Sequence, residues 1–385
     1  MAFTGGKFFD GQLLSEELAP IFVNGRLATI ENKQSILSQP DTEIVQLAGE
    51  IFTPGFVDLQ INGGGGILFN TDQSSTALET IVNAHKQSGT VGLLPTLISD
   101  TAAVTQSAVA AVIAATTDGT SRIPGVLGLH LEGPHLSLPR KGAHSADMIR
   151  PMLDDDLSII LEAANQLPVL MVTIAPENVT LEQATTMVNA GAIVSLGHTD
   201  TDFNTAVSYF DAGVSCVTHL FNAMSQLTNR EPGTVGAALS AKGVNVGLIA
   251  DGIHVHPANI KLAWDAKTEP GRMFLVSDAM AVAGTNINTF TLNDRKITRN
   301  AGRLELEDGT LAGADLEIRN AARLLHEELH IDLQEVLKAA IATPREIIGI
   351  GSGRQHYRVE EGAPLHEFIR LDPESWSVTT FDGID

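Results

Sequence analysis

Eight short apolar runs, each close to a polar or charged residue at its end, recur from residue 55 onward: GFVDLQ, TVGLLPTLI, GVLGLHLEGP, PVLMVTIAP, AIVSLGHTD, VSCVTHLFNA, NVGLIADG and MFLVSDAM. Runs this apolar, without the alternation of a half-exposed strand, mark strands buried on both faces. Between them lie segments of helical sequence, among them STALETIVNAHKQSG, TLEQATTMVNAGA and DFNTAVSYFDAG. Several of these finish in Gly, as a helix C-terminus commonly does. Eight buried strands alternating with helices predict an α/β fold, a (β/α)8 barrel of TIM type. A doubly wound open sheet gives a similar alternation, so the count alone leaves both open.

The two ends of the chain read differently. Residues 1–52 carry short β-type runs, KFFDGQLL, APIFVNGRLATI and EIVQLAGEIFTPG, and Asp-Gly and Asn-Gly interrupt the first two as hairpin signals. Toward the C-terminus, DLEIRNAARLLHEEL and DLQEVLKAAIATPREIIG read as helices, and YRVEEGAPLHEFIRLDPESWSVTTFDG returns to strands. A small β-sandwich built from residues 1–52 and 351–385, around a barrel over 53–350, accounts for strand-rich termini. No internal repeat or low-complexity linker interrupts the chain.

Charge narrows the partners. Asp and Glu number 46 against 24 Lys and Arg, a formal net charge of −22. That argues against general binding to nucleic acid or to an anionic membrane, and an anionic substrate would need locally concentrated cations. A single cysteine, Cys216 in GVSCVTHL, excludes an internal disulfide framework and reads as a small core residue. The N-terminal MAFTGGKFFDGQLL has no apolar segment of signal-peptide type, and no apolar stretch is long enough to span a bilayer. The expected location is the cytoplasm.

In a barrel of this type, functional groups gather at the C-terminal ends of the strands. Those ends present Gln60 and Asn62, Glu132, His198, His219, His254 and Asp278. Taken singly, a histidine there is more often a hydrogen-bonded core or surface residue, and an acid is often a helix N-cap. Taken together, one carboxylate and two imidazoles can hold a divalent ion with a position open to water, and a further carboxylate can move protons. The stretch GFVDLQINGGGG puts two amides, one residue apart, on the same side of the first strand, ahead of four glycines.

The blocks LHLEGPHLSLPRKGAH, SLGHTD, THLFNAM, REPGTVGA, IADGIHVHP and VSDAM, in order between residues 51 and 350, resemble the N-acetylglucosamine-6-phosphate deacetylase family of the amidohydrolase superfamily. The resemblance implies hydrolysis of the N-acetyl group of an amino-sugar 6-phosphate, giving glucosamine 6-phosphate and acetate. It implies a divalent ion on Glu132, His198 and His219, with zinc, iron, manganese and cobalt all compatible with that ligand set. Asp278 takes the position of the general acid and base, and His144 that of the group polarising the acetyl carbonyl. Asn222, the Ala223 amide, Arg230 and His254 take the phosphate positions, with Arg230 reaching in from a partner subunit of a homodimer. Amidohydrolases commonly end the first strand in His-x-His; Gln60 and Asn62 then resemble a vestigial second-metal corner, as in a branch that works with one ion. The glycines that follow read as a turn giving access to the site, since no GK[ST] sequence follows them. TLAGADL, residues 310–316, resembles the loop after the eighth strand that covers the sugar, and His135 and His256 read as structural. The alternatives are an amidohydrolase of another N-acyl substrate, a non-catalytic scaffold and a sugar-phosphate isomerase on the same fold.

Overall fold

The eight apolar runs form one parallel sheet: β1 (Phe56–Ile61), β2 (Thr90–Ile98), β3 (Leu129–Glu132), β4 (Leu170–Ile174), β5 (Ile193–Leu196), β6 (Cys216–Val217), β7 (Asn245–Leu248) and β8 (Met273–Leu275). The structure, a computed structural model, describes residues 1–38, 42–117, 122–350 and 356–381. Each strand pairs with the next in sequence. This order has no reversal point, which excludes the doubly wound sheet. The seam closes above β8, where Asp278 N donates to Gln60 O at 3.0 Å and Asn62 N to Ala279 O at 2.8 Å. Pro95, which cannot donate to the ladder, sits at a register shift between β1 and β2.

Helices α1 (Ser75–Lys86), α2 (Ala102–Thr116), α3 (Asp154–Gln166), α4 (Leu181–Asn189), α5 (Phe203–Asp211), α6 (Gly233–Ser240) and α7 (Pro257–Ala266) connect successive strands. Their starts follow local chemistry. Ser74, Thr101, Thr180 and Asp202 each accept a hydrogen bond from a backbone N–H of the first turn, and Gln183 completes a reciprocal capping box with Thr180. Gly191 and Gly213 end α4 and α5 at φ +92° and +102°, a conformation that a side chain would strain. Helix α1 buries Leu78, Ile81 and Val82, spaced three and four residues apart, in the core that also holds Leu93 and Val126.

The termini form two more sheets. One holds Ala2–Thr4, Leu18–Val23, Arg26–Asn32 and Ile44–Gln46; the other holds Lys7–Phe9, Leu14–Ser15, Ile51–Pro54, Phe368–Leu371 and Val378–Thr380. Asn24-Gly25 makes the expected two-residue hairpin turn, with φ of +49° and +71°. Between the sheets packs a phenylalanine cluster in which Phe52 stacks on Phe3 at 4.1 Å and on Phe368 at 5.1 Å. Of the segment 351–385 expected in this sandwich, 351–355 and 382–385 lie outside the described residues.

A four-stranded antiparallel sheet after β8 has no counterpart in the sequence reading. It comprises Thr289–Leu292, Arg295–Asn300, Arg303–Leu306 and Leu311–Ala314. Its alternation buries Leu292, Ile297, Leu304, Leu306 and Ala312 in one core cluster with Met280 and Val282, over the barrel mouth. This corrects the expectation for TLAGADL. Leu311–Ala314 is the fourth strand of that sheet rather than a loop, and Ala314 N donates to Asp278 O at 2.9 Å. Among the described residues, no helix is long and apolar enough to cross a membrane.

Candidate active site

Glu132 is the last residue of β3, whereas His198, His219 and Asp278 lie two or three residues beyond β5, β6 and β8. There the chain turns sharply: His198, His219 and Asp278 have φ of +47°, +29° and +51°. The left-handed region costs a residue with a β-carbon on the order of 1 kcal/mol, so three such residues at one rim mark strain that the surrounding packing enforces. Glu132 Oε1 stands 3.0 Å from His219 Nε2 and 3.2 Å from His198 Nε2, and the two nitrogens are 3.1 Å apart.

These residues fit a metal ion. His198 Nδ1 faces the Arg140 carbonyl at 2.8 Å, so Nδ1 carries the hydrogen and Nε2 is the nitrogen available to an ion. Ligand atoms about 2.0–2.1 Å from a tetrahedral ion lie about 3.3 Å from one another, close to the spacing of these three. Burial would raise the Glu132 carboxyl, but His198 and His219 outweigh it and hold it well below the usual carboxylate range. Burial would likewise lower His219, yet Glu132 draws its pKa up. The corner attracts positive charge, and the set of two imidazoles and one carboxylate suits a divalent metal.

His144 lies beside this corner, its ring 4.5 Å from that of His198. The Ser99 backbone N–H can only donate, and it points at His144 Nδ1 at 3.3 Å, with Ser99 Oγ at 2.8 Å. Nδ1 is therefore the acceptor and Nε2 carries the hydrogen. Burial, then the neighbouring His198, pushes His144 down to about 3, so it stays a neutral donor near pH 7. Asp278 is pushed up to about 6, first by burial and then by the charge of Glu132.

Gln60 and Asn62 line the closing seam. Gln60 Nε2 donates to Glu132 Oε1 at 3.1 Å and to Asp278 Oδ1 at 3.3 Å, and Asn62 Nδ2 donates to Asp278 Oδ1 at 2.6 Å. Beneath them the wholly buried Asp58 accepts from Gln60 N at 3.1 Å and from Ser277 N at 3.1 Å, tying β1 to the turn that carries Asp278.

A cavity of about 360 Å³ opens above the corner. Asn62, Glu132, His144, His198, His219 and Asp278 form its floor, and Asn222, Ala223, His254 and Arg140 line it. His254 Nδ1 is held by Asp251 Oδ2 at 2.6 Å, so Nδ1 carries a hydrogen. Arg140 pairs with Asp200 at 2.7 Å. Arg230 is exposed and lies outside the cavity of its own chain, and it forms no ion pair with Glu231. Glu231 Oε1 instead accepts from the Phe203 and Gly233 amides. His135 is buried against the Arg150 carbonyl, and His256 caps α7, so both are tied into structure.

Sequence reasoning missed Ser99, Arg140 and Asp251. Arg140 lies within the LPRKGAH block and could have been marked as the cation preceding His144. The pairing of Ser99 with His144, 45 residues apart, has no local signature.

No protein-family model matches the chain. It is 38% identical over 345 residues to the N-acetylgalactosamine-6-phosphate deacetylase of Shewanella sp. (strain ANA-3), covering 89% of this chain and 86% of that protein. It is 32% identical over 333 residues to the N-acetylglucosamine-6-phosphate deacetylase of Haemophilus influenzae, covering 86% and 85%. Its fold superposes on the crystal structure of N-acetylglucosamine-6-phosphate deacetylase from Pasteurella multocida with a TM-score of 0.89 at 29% identity, covering 98% and 96% of the two chains.

Proposed function

The chain belongs to the family of N-acetylglucosamine- and N-acetylgalactosamine-6-phosphate deacetylases, in the amidohydrolase superfamily, and from that membership we propose that it hydrolyses N-acetylglucosamine 6-phosphate to glucosamine 6-phosphate and acetate in the cytoplasm. The observation that carries this reading is the convergence of Glu132 Oε1, His198 Nε2 and His219 Nε2 on one point beside Asp278.

One divalent ion per chain, zinc in the first instance, would be held by Glu132, His198 and His219 and would supply Lewis acidity toward the attacking water and the acetyl carbonyl. Asp278 accepts a proton from that water as its oxygen bonds to the acetyl carbon. His144 donates from Nε2 to the carbonyl oxygen as negative charge develops there. The C–N bond then breaks, Asp278 returns the proton to the departing amine, and acetate is released. His254, Asn222 and the Ala223 amide receive the phosphate, and Arg230 completes that pocket from the second subunit of a homodimer. The Arg230 charge and the donors of the other groups offset the repulsion between an anionic substrate and a chain of net charge −22.

Acetate release from N-acetylglucosamine 6-phosphate, from N-acetylgalactosamine 6-phosphate and from unphosphorylated N-acetylglucosamine tests the reading, on protein assayed for metal. Turnover of the gluco phosphate, with the free sugar left untouched and about one ion per chain, is the expected result. The higher identity to the Shewanella protein favours a second reading, in which the galacto epimer is the better substrate. Acetate from none of the three, with metal bound, would refute both.

A further inference from the structure

Gln60 and Asn62 are arranged to do more than fill a corner. Asn62 Nδ2 reaches Asp278 Oδ1 at 2.6 Å and Asp278 O at 3.4 Å, so the amide group can face in only one direction, with its NH2 toward the aspartate. Gln60 Nε2, between Glu132 Oε1 and Asp278 Oδ1, is oriented by the same logic. Neither strand segment can yield. Gln60 N is held by Asp58, Gln60 O by Asp278 N, Asn62 N by Ala279 O, and Asn62 O by Phe69 N at 2.9 Å.

Both side-chain donors end on the same oxygen, Asp278 Oδ1, whereas Oδ2 has no hydrogen bond among the described residues. Asn62 Oδ1 is left buried without a partner, so the amide is held by its Nδ2 bonds alone. Neutral donors suit a proton carrier, because they fix the carboxylate with less loss of basicity than a cation at the same distance.

We propose that Gln60 and Asn62 are positioning residues for proton transfer, pinning Asp278 through Oδ1 so that Oδ2 moves the proton. This rests on the reading of Asp278 as the proton carrier.

The test compares wild type with Asn62→Ala, Asn62→Asp and Gln60→Ala for kcat, KM, the solvent deuterium isotope effect on kcat, metal content and melting temperature. Asn62→Ala should lower kcat about 30–100-fold, and Gln60→Ala, which loses the longer bond, about tenfold, as fractions of the total that a positioned proton carrier contributes. Metal content and melting temperature should stay at wild-type values, and the isotope effect should rise as proton transfer becomes limiting. Asn62→Asp keeps an acceptor of the same shape but removes the donor, so its kcat should fall as far as that of the alanine variant. It carries the test if Asn62→Ala does not fold. Wild-type kcat in either Asn62 variant, or a loss of kcat that only follows lost metal and lower melting temperature, would overturn the proposal. Failure of the wild type itself to release acetate would instead count against the function, which keeps the two outcomes apart.

Discussion

Replacing Asp278 with Asn keeps the size of the side chain and removes its ability to take a proton. Asp278 is pushed up to about 6, by burial first and the Glu132 charge second, against the lowering effects of His219 and the Asn62 hydrogen bond. A base must begin ionised, so activity should fall as pH drops through this value. With a pKa of about 6, about nine-tenths of the carboxyl is ionised near pH 7 and about one-tenth near pH 5, roughly a tenfold loss of rate. A cation on the triad would draw the value lower, so the acid limb should lie at or below about 6. Losing the general acid and base costs about 10²–10⁴ in kcat, or about 3–5 kcal/mol of transition-state stabilisation. The assay is acetate release between about pH 4.5 and 8, with metal content measured at each pH because metal binding is itself pH-dependent. Asp278→Asn should show the lowered kcat and no acid limb while metal stays bound. A variant that keeps a third of wild-type kcat, or keeps the acid limb with its metal in place, would refute the role.

Glu132→Gln removes the charge that stands 3.0 and 3.2 Å from the two imidazole nitrogens, and elemental analysis should then find less than about a tenth of the wild-type metal; stoichiometric metal in the variant would disprove the ligand assignment. His144→Ala should cost about 10²–10³ in kcat, and Ser99→Ala less, about three- to tenfold, because its backbone N–H still sets the tautomer. Nitrogen NMR of His144 checks that tautomer directly: a hydrogen on Nδ1 contradicts the geometry. Phe52→Ala empties the centre of the phenylalanine cluster and should destabilise by about 3–5 kcal/mol in urea unfolding; a change below about 1 kcal/mol would mean that the sandwich does not unfold cooperatively with the rest of the chain.

The barrel was legible because parallel strands buried on both faces must be apolar throughout, and helices between them announce their ends with Ser, Thr, Asp and Gly. For the same reason Glu132, His198, His219 and Asp278 stood out: a polar residue closing an apolar run is conspicuous. The sheet from 289 to 314 was not legible. Its strands are short and half-exposed, and its turns at Asn293-Asp294 and Ala301-Gly302 lack the stronger Asn-Gly or Asp-Gly signal, so that Asp308-Gly309 alone marked a hairpin there.

Sequence by itself determined the strand count, the strand-end donors and, through blocks such as LEGPHL and THLFNAM, the kinship now established. These depend on local periodicity and on residue identity at the end of an element. Tertiary structure alone decided which nitrogen of His144 carries the hydrogen, where the amides of Gln60 and Asn62 point, and that Arg230 lies outside its own cavity. Each depends on a partner dozens or hundreds of residues away, as Asn62 is from Asp278, and only closure of the barrel brings such groups within hydrogen-bonding distance.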